Sequence, residues 1–298
     1  MLLSDFIRDG ASRLENLYPS PEARGLVLML CRELLGVTNY THIVEPLTAV
    51  PDGMLPELSD ALERLCAGEP VQYVLGFAEF CDRRFAVGPG VLIPRPETEQ
   101  LVAEAVRTLR EMDLEHPPRV LDLCTGSGCI AWSIALEIHD AEVVGLDLSE
   151  QALSYARNQF YPSSANPHSS SADLIGGSPT FLQADVLDTE QAFEGGPFDL
   201  IVSNPPYVME RERAQMRPNV LEHEPALALF VPDADPLLFY RAIAAWSQRF
   251  LVSGGYGITE INESLGPQTV SVFRLAGFRA DLLPDLFGRD RFVLYSAR

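Results

Sequence analysis

An α/β protein is expected, in which a small all-helical domain, residues 1–75, precedes a parallel-sheet domain, residues 96–298, with a β-hairpin connector at 76–95. Three features of the sequence lead to this. Apolar residues of the first segment recur at helical spacing and never alternate at period two. From Arg119 onward, short apolar runs of strand length alternate with runs of helix length. The first strand-to-helix junction is a small, glycine-containing turn.

In the N-terminal segment, Ala23 to Leu35 and Leu55 to Cys66 read as helices separated by Gly and Pro. Five arginines stand against eleven acids there, which suits docking or a lid better than a clamp on nucleic acid. Residues 77–94, FAEFCDRRFAVGPGVLIP, hold short aromatic and apolar runs broken by Gly88-Pro89-Gly90, the pattern of a hairpin or extended connector. Strands are then expected at Arg119–Leu123, Glu142–Leu146, Thr180–Gln183 and Phe198–Ser203, with helices at Cys129–Ile138 and Glu150–Phe160. Tyr161 to Pro179, rich in Ser, Pro, Asn and Gly, reads as a surface loop insertion. After a Pro-rich, charged stretch at 208–236 come a helix at Leu237–Phe250, a Gly-Gly turn, a strand at Tyr256–Ile261 and a helix at Ser264–Ala276. Arg279–Leu283 and Arg291–Tyr295 close the chain as an antiparallel edge hairpin.

The 298 residues carry 22 basic and 42 acidic side chains, a net charge of −20, and 47% of them are hydrophobic, enough for two cores without disulfide or metal staples. Every basic residue is arginine. Without lysine the chain has no P-loop lysine, no Schiff-base lysine for pyridoxal chemistry and no kinase nucleotide lysine, so those classes are excluded. Cys31, Cys66, Cys81, Cys124 and Cys129 form no C-x-x-C pair, and their odd number fits reduced thiols. The five histidines show no metal spacing, so no metal is expected. The first residues lack a basic stretch followed by an apolar one, and no run approaches the ~18 apolar residues of a membrane helix, so the expectation is a cytoplasmic monomer without a membrane partner. The acidic balance opposes a nucleic-acid substrate, because affinity for phosphates comes from clustered positive charge.

Three segments carry chemistry. Val120 to Ala131, VLDLCTGSGCIA, sets a turn where backbone N–H groups and missing Cβ atoms let a ligand approach. Gly126, Gly128 and Ala131 fit G-x-G-x-x-A, so this turn alone leaves nicotinamide cofactors and S-adenosylmethionine equally open. Asp147 ends the next strand, where a carboxylate accepts from ribose hydroxyls. Asp122, before the turn, suits the amino group of a methionine moiety, for which a dinucleotide offers no partner. The third segment, FDLIVSNPPY at Phe198 to Tyr207, delivers Asn204-Pro205-Pro206-Tyr207 to the carboxyl edge of the sheet. Two prolines fix the backbone and remove donors, leaving the Asn204 side-chain oxygen and the Pro205 carbonyl to grip both hydrogens of a planar NH2 group, beside the Tyr207 ring. Such a nitrogen is a poor nucleophile, so orientation and electrostatics carry the rate, with no strong base.

With these residues the sequence resembles the class I methyltransferases whose Asn-Pro-Pro-Tyr motif modifies planar nitrogens. Glu69–Gly76 (EPVQYVLG), Ile93–Glu99 (IPRPETE), Glu222–Phe230 (EHEPALALF), Gly254-Gly255 with Glu260, and Ala276–Phe278 with Gly288–Val293 extend the likeness along nearly the whole chain to the HemK/PrmC-type release-factor glutamine methyltransferases. The resemblance implies a Rossmann-like class I S-adenosylmethionine-dependent methyltransferase domain with a seven-stranded sheet. It implies S-adenosylmethionine, leaving as S-adenosylhomocysteine, held by Cys124, Thr125, Gly126, Ser127 and Gly128, by Asp122 and Asp147, near Asp185 and Val186, and beside Asn204. Asn204, Pro205 and Tyr207 would be catalytic, and these with Pro206, Arg95 and Glu97 would hold the substrate. That substrate would be the glutamine of the Gly-Gly-Gln motif in class 1 peptide chain release factors, docked on the helical domain.

Three positions depart from the family pattern. Cys124 replaces the usual first glycine of the turn, Val186 stands where some members carry an aromatic residue, and Asn262 replaces a small residue. A cysteine fits the turn if its φ is negative, so the expectation is retained binding with altered affinity; a positive φ would strain it. Arg211, Arg213 and Arg217, and a second set of Arg83, Arg84 and Arg95, read as rims for an acidic or backbone partner. Rival substrates with the same planar nitrogen are the exocyclic amine of adenine in nucleic acid and a ribosomal-protein glutamine. A non-catalytic S-adenosylmethionine-binding factor is the rival from another class.

Overall fold

The computed structural model describes residues 1–160 and 177–298, so most of the expected Tyr161 to Pro179 loop lies outside the described residues. The elements run α1 (Leu3–Leu14), α2 (Ser20–Leu35), α3 (Thr41–Val44), α4 (Leu55–Cys66), α5 (Val71–Leu75), β1 (Phe77–Phe80), β2 (Arg83–Ala86), α6 (Glu99–Glu111), β3 (Arg119–Leu123), α7 (Cys129–Glu137), β4 (Glu142–Asp147), α8 (Glu150–Arg157), β5 (Thr180–Gln183) and β6 (Phe198–Ser203). They continue with β7 (Val208–Met209), α9 (Pro218–His223), α10 (Ala226–Leu229), β8 (Phe230–Val231), α11 (Leu238–Phe250), β9 (Leu251–Glu260), α12 (Gly266–Leu275), β10 (Arg279–Pro284) and β11 (Asp290–Ser296).

One compact unit comprises Met1–Phe77 with Arg217–His223. Its helices are amphipathic: α1 buries Leu3, Phe6, Ile7 and Leu14, spaced to lie on one face, and these pack with Val27 and Leu30 of α2 and Leu58, Leu62 and Leu65 of α4. Arg64 ties the end of this bundle together, donating to both Glu69 oxygens and to the carbonyls of Tyr73 and Val74.

The second unit, Ala78–Met216 with Glu224–Arg298, is built on a seven-stranded sheet of order β10-β11-β9-β6-β3-β4-β5. The five strands from β9 to β5 are parallel, and β11 runs antiparallel to both its neighbours. Alternation sorts each central strand between two cores, as a two-sided sheet requires. Val120, Leu200 and Val202 join one core with Trp132 and Phe160, while Leu121, Leu123, Phe198 and Ile201 join the other with Tyr240, Trp246 and Phe273. Both tryptophans keep their N–H satisfied, Trp132 on the Ala156 carbonyl and Trp246 on that of Val186.

Three local features differ from the sequence reading. Helix α6 was not anticipated, although Leu101, Val102, Ala105, Val106 and Leu109 bury one face at helical spacing. Gly254 and Gly255 lie inside β9 instead of forming a turn before it. The Pro-rich 208–236 stretch holds α9, α10 and the β7–β8 pair, too short for periodicity to show. No helix among the described residues is long and apolar enough to cross a membrane.

The chain runs from β3 outward through β4 and β5, then returns to β6 on the opposite side of β3. Such a reversal opens a crevice at the carboxyl ends of the strands. Register makes that crevice a row: Leu123 lies opposite Leu146 and Ser203, and Ser203 opposite Thr259. The next residues, Cys124, Asp147, Asn204 and Glu260, therefore leave the sheet side by side.

Candidate active site

A cleft opens over this row. One wall is the turn after β3. Gly126 has φ +57° and Gly128 φ +78°, and a Cβ at residue 128 would stand 2.9 Å from the Phe181 ring and 3.0 Å from the Ala156 methyl. Gly128 is thus required by both backbone and packing, whereas Gly126 faces open space and is needed for its conformation alone. Cys124 also has a positive φ, +62°. Of the two cases the sequence left open, the strained one holds, and a glycine here would relieve it. Burial and the surrounding carboxylates of Asp147, Asp122 and Asp185 push its thiol well up, so it stays protonated and is no nucleophile.

The carboxylates are fixed by this turn. Asp147 Oδ2 accepts the Gly126 N–H at 2.8 Å and Oδ1 the Ser149 N–H at 2.9 Å. Burial raises its pKa, with the backbone donors opposing. Asp122 is wholly buried beneath the turn; its Oδ2 accepts from the Thr125 hydroxyl at 2.5 Å, while Oδ1 makes no hydrogen bond. Burial pushes its pKa up to about 7, against the pull of that hydroxyl and the nearby Ala131 amide. Asp185 and Val186 form the far edge, Asp185 accepting from the Leu187 N–H and Val186 held by Trp246.

The opposite wall carries the Asn-Pro-Pro-Tyr segment. Asn204 Nδ2 donates to Thr98 Oγ1 at 3.2 Å, Thr98 donates to Glu260 Oε2 at 2.7 Å, and the Tyr207 hydroxyl donates to Glu260 Oε1 at 2.8 Å. Burial raises the Glu260 pKa, countered by the Thr98 and Tyr207 hydroxyls and Arg291. Burial beside Glu260 drives the Tyr207 phenol well up, so it remains a donor. At the mouth, Arg95 pairs with Glu224 at 2.6 Å, and the other Glu224 oxygen accepts the Ile93 N–H at 3.0 Å. Glu224 has almost no exposed side chain and clips the 93–95 segment in place.

Of the residues singled out from sequence, Cys124, Thr125, Gly126, Ser127, Asp147, Asp185, Val186, Asn204, Pro206 and Arg95 line the cleft. Five do not. Asp122 and Gly128 lie beneath the turn, Pro205 is buried, and Tyr207 turns its hydroxyl to Glu260. Glu97 is exposed and lines a separate groove with Glu99 and Arg107. Thr98, one position on, is the member of that run that enters the site. Sequence reasoning missed Thr98 and Glu224, although both lie within quoted motifs, because neither spacing nor composition distinguishes them from their neighbours. Within the arginine rims, Arg217 pairs with Glu22 at 2.5 Å, Arg213 with Glu210 at 3.2 Å and over the Phe230 ring, and Arg83 with Glu137 at 3.0 Å. Asn262, the third departure, accepts from Ser264 and donates to the Tyr207 carbonyl and Glu212, a bracing role a small residue would not supply. No group of three or more possible metal ligands occurs among the described residues.

The reversed-edge sheet, with a glycine turn and a row of polar side chains at its switch point, defines a class I methyltransferase domain, and residues 115–240 match the family model of a methyltransferase domain. Residues 5–76 match the model of the PrmC N-terminal domain. A release factor glutamine methyltransferase of Bacteroides thetaiotaomicron is 39% identical over 94% of this chain and 95% of its own length. Proteins of the same name from Flavobacterium psychrophilum and Deinococcus radiodurans are 33% and 34% identical, covering 100% and 98% of both chains. Among solved structures, the release-factor-specific protein-(glutamine-N5) methyltransferase of Alicyclobacillus acidocaldarius is 29% identical and covers 72% of this chain and 99% of that one, with a TM-score of 0.40. On the full-length sequence relatives, the chain belongs to the release factor glutamine methyltransferase family.

Proposed function

We propose that this protein transfers a methyl group from S-adenosylmethionine to the side-chain amide nitrogen of the glutamine in the Gly-Gly-Gln motif of class 1 release factors. The observation that carries the reading is the state of Asn204: its NH2 is engaged by Thr98, and its carbonyl oxygen is left as an acceptor at the cleft. An acceptor fixed there, with the Pro205 carbonyl beside it, suits a substrate that presents two N–H bonds.

The residues of the turn fit the methyl donor. Asp122 Oδ1, buried without a hydrogen bond, suits the positive amino end, and Asp147, whose two oxygens have acceptor capacity left after their backbone bonds, suits the ribose hydroxyls. Asp185 and Val186 would flank the base. When bound, S-adenosylmethionine supplies an electrophilic methyl, which passes to nitrogen while the carbon–sulfur electron pair stays on sulfur. Asn204 and Pro205 orient the amide and favour the positive charge developing on its nitrogen, whose proton then leaves to solvent. Tyr207 acts from behind the cleft, donating its hydroxyl to Glu260. We assign the docking of the release factor to the helical unit and the reaction to the cytoplasm, where termination occurs.

The test is incubation with methyl-labelled S-adenosylmethionine and, separately, a class 1 release factor, its Gly-Gly-Gln glutamine-to-alanine variant, and adenine-containing DNA and RNA. Label on the wild-type factor alone is expected. Equal label on the variant, or label on nucleic acid, would overturn the assignment.

A further inference from the structure

We propose that Glu260 and Thr98 are positioning residues that set the orientation of the Asn204 amide, and so decide that an acceptor, not a donor, meets the substrate nitrogen. The inference rests on the function proposed above, and goes beyond it in saying what selects between the two ends of an amide that are nearly alike in shape.

The selection follows from counting donors. Glu260 ends β9 at 1% exposure, and Thr98 is buried at 2%. An ionised carboxylate only accepts, and each Glu260 oxygen here accepts one hydroxyl, Tyr207 on Oε1 and Thr98 on Oε2. Thr98 has a single proton. With that proton committed to Glu260, its oxygen toward Asn204 is an acceptor only, so Asn204 must turn its NH2 to Thr98. The carbonyl end is then the one presented to the cleft. A chain of three groups thus transmits the polarity of one buried charge to the side chain that holds the substrate.

The charge has a reason to persist. Strand β11 pairs with β9, with Phe292 opposite Glu260, and the neighbouring Arg291, paired with Asp285 at 3.4 Å, favours the ionised carboxyl through its positive charge, as do the two hydroxyls that donate to it. A glutamine at position 260 would lack the constraint, since its own NH2 can donate to Thr98. Thr98 would then donate to Asn204 Oδ1, and the NH2 of Asn204 would face the N–H bonds of the substrate, donor against donor.

The test measures kcat, KM for release factor, cofactor affinity and thermal stability for Thr98→Val, Thr98→Ser and Glu260→Gln beside the wild type. Thr98→Val and Glu260→Gln are expected to lower kcat roughly 10- to 100-fold, the scale of one misdirected transition-state contact, with the cofactor dissociation constant within about threefold of wild type. Thr98→Ser, which keeps the hydroxyl and loses a methyl, is expected to retain kcat to within a few-fold. Adding Thr98→Val to Asn204→Ala is expected to lower kcat no further, because the relay acts only through Asn204. A Thr98→Val enzyme with wild-type kcat, or a Thr98→Ser enzyme as slow as Thr98→Val, would overturn the proposal while leaving the function standing. A wild-type enzyme that labels no release factor would overturn the function and this proposal with it.

Discussion

The substitution Asp122→Asn tests the electrostatics of the turn most directly. Asp122 is fully buried, and its pKa is pushed up to about 7 from 3.8, chiefly by burial. Between those two values the native protein holds a proton that the unfolded chain has already released. Stability of the free protein therefore falls as pH rises through that window and levels off above about pH 7, where both states are ionised. At about 1.36 kcal/mol per pH unit, the full span is on the order of 4 kcal/mol. An asparagine in this place has the same shape, still accepts from the Thr125 hydroxyl and never ionises. Urea unfolding of both proteins at about pH 5, 6 and 8 should show the variant gaining on the wild type by about 2.7 kcal/mol across the series, the two pH units of the window that it covers. Cofactor affinity should move oppositely. If Asp122 faces the ammonium group, binding needs the ionised form. The wild-type dissociation constant should then tighten by up to about tenfold for each unit that pH rises toward about 7, and that of the variant should stay flat and weaker. A stability difference that does not change with pH would refute the buried, proton-holding carboxylate. A pH-independent wild-type dissociation constant would refute its role toward the cofactor.

Other consequences follow from the same site. Asn204→Ala should lower kcat on a release factor by about 100- to 1000-fold while cofactor affinity stays within about threefold, and near-normal turnover would refute the amide-gripping mechanism. Cys124→Gly should raise stability by about 0.5–1 kcal/mol in thermal or urea unfolding, because relief of about 1–2 kcal/mol at φ +62° exceeds the backbone entropy glycine adds. Cys124→Val should do the reverse, its branched Cβ being least tolerant of that φ. Gly128→Ala should cost about 1–3 kcal/mol and weaken the cofactor, since its Cβ would meet Phe181 at 2.9 Å with φ already at +78°; an unchanged urea midpoint would show that α7 yields more readily than the packing implies.

The architecture was legible because periodicity reports local structure. The core strands and the helices between them are each apolar runs of the right length bounded by turn residues, so β3, β6 and α4 fall where patterning puts them. The edge hairpin of β10 and β11 was equally readable. Helix α6 escaped although its buried face has helical spacing, because it follows a proline-rich run that reads as connector. The Gly-Gly pair misled in the other direction: it suggested a break, but the sheet on either side of β9 carries the strand through it.

At the site, residue types and their spacing along one chain were enough to say which chemistries were open. They established the absence of lysine, a glycine turn after a buried strand, an acid at the end of the next, and two prolines beside an asparagine. Which atoms meet was a matter for the folded chain. Thr98, Asn204 and Glu260 are separated by more than fifty residues at each step, and only the parallel register of β6 and β9, with the segment entering α6 laid across their ends, brings them into one hydrogen-bonded chain. Folding likewise set the sign of φ at Cys124, the burial that shifts Asp122, and the entry of Thr98 rather than Glu97 into the cleft. Hydrogen bonds act over about 3 Å and desolvation depends on all surrounding atoms, so neither is a function of sequence distance.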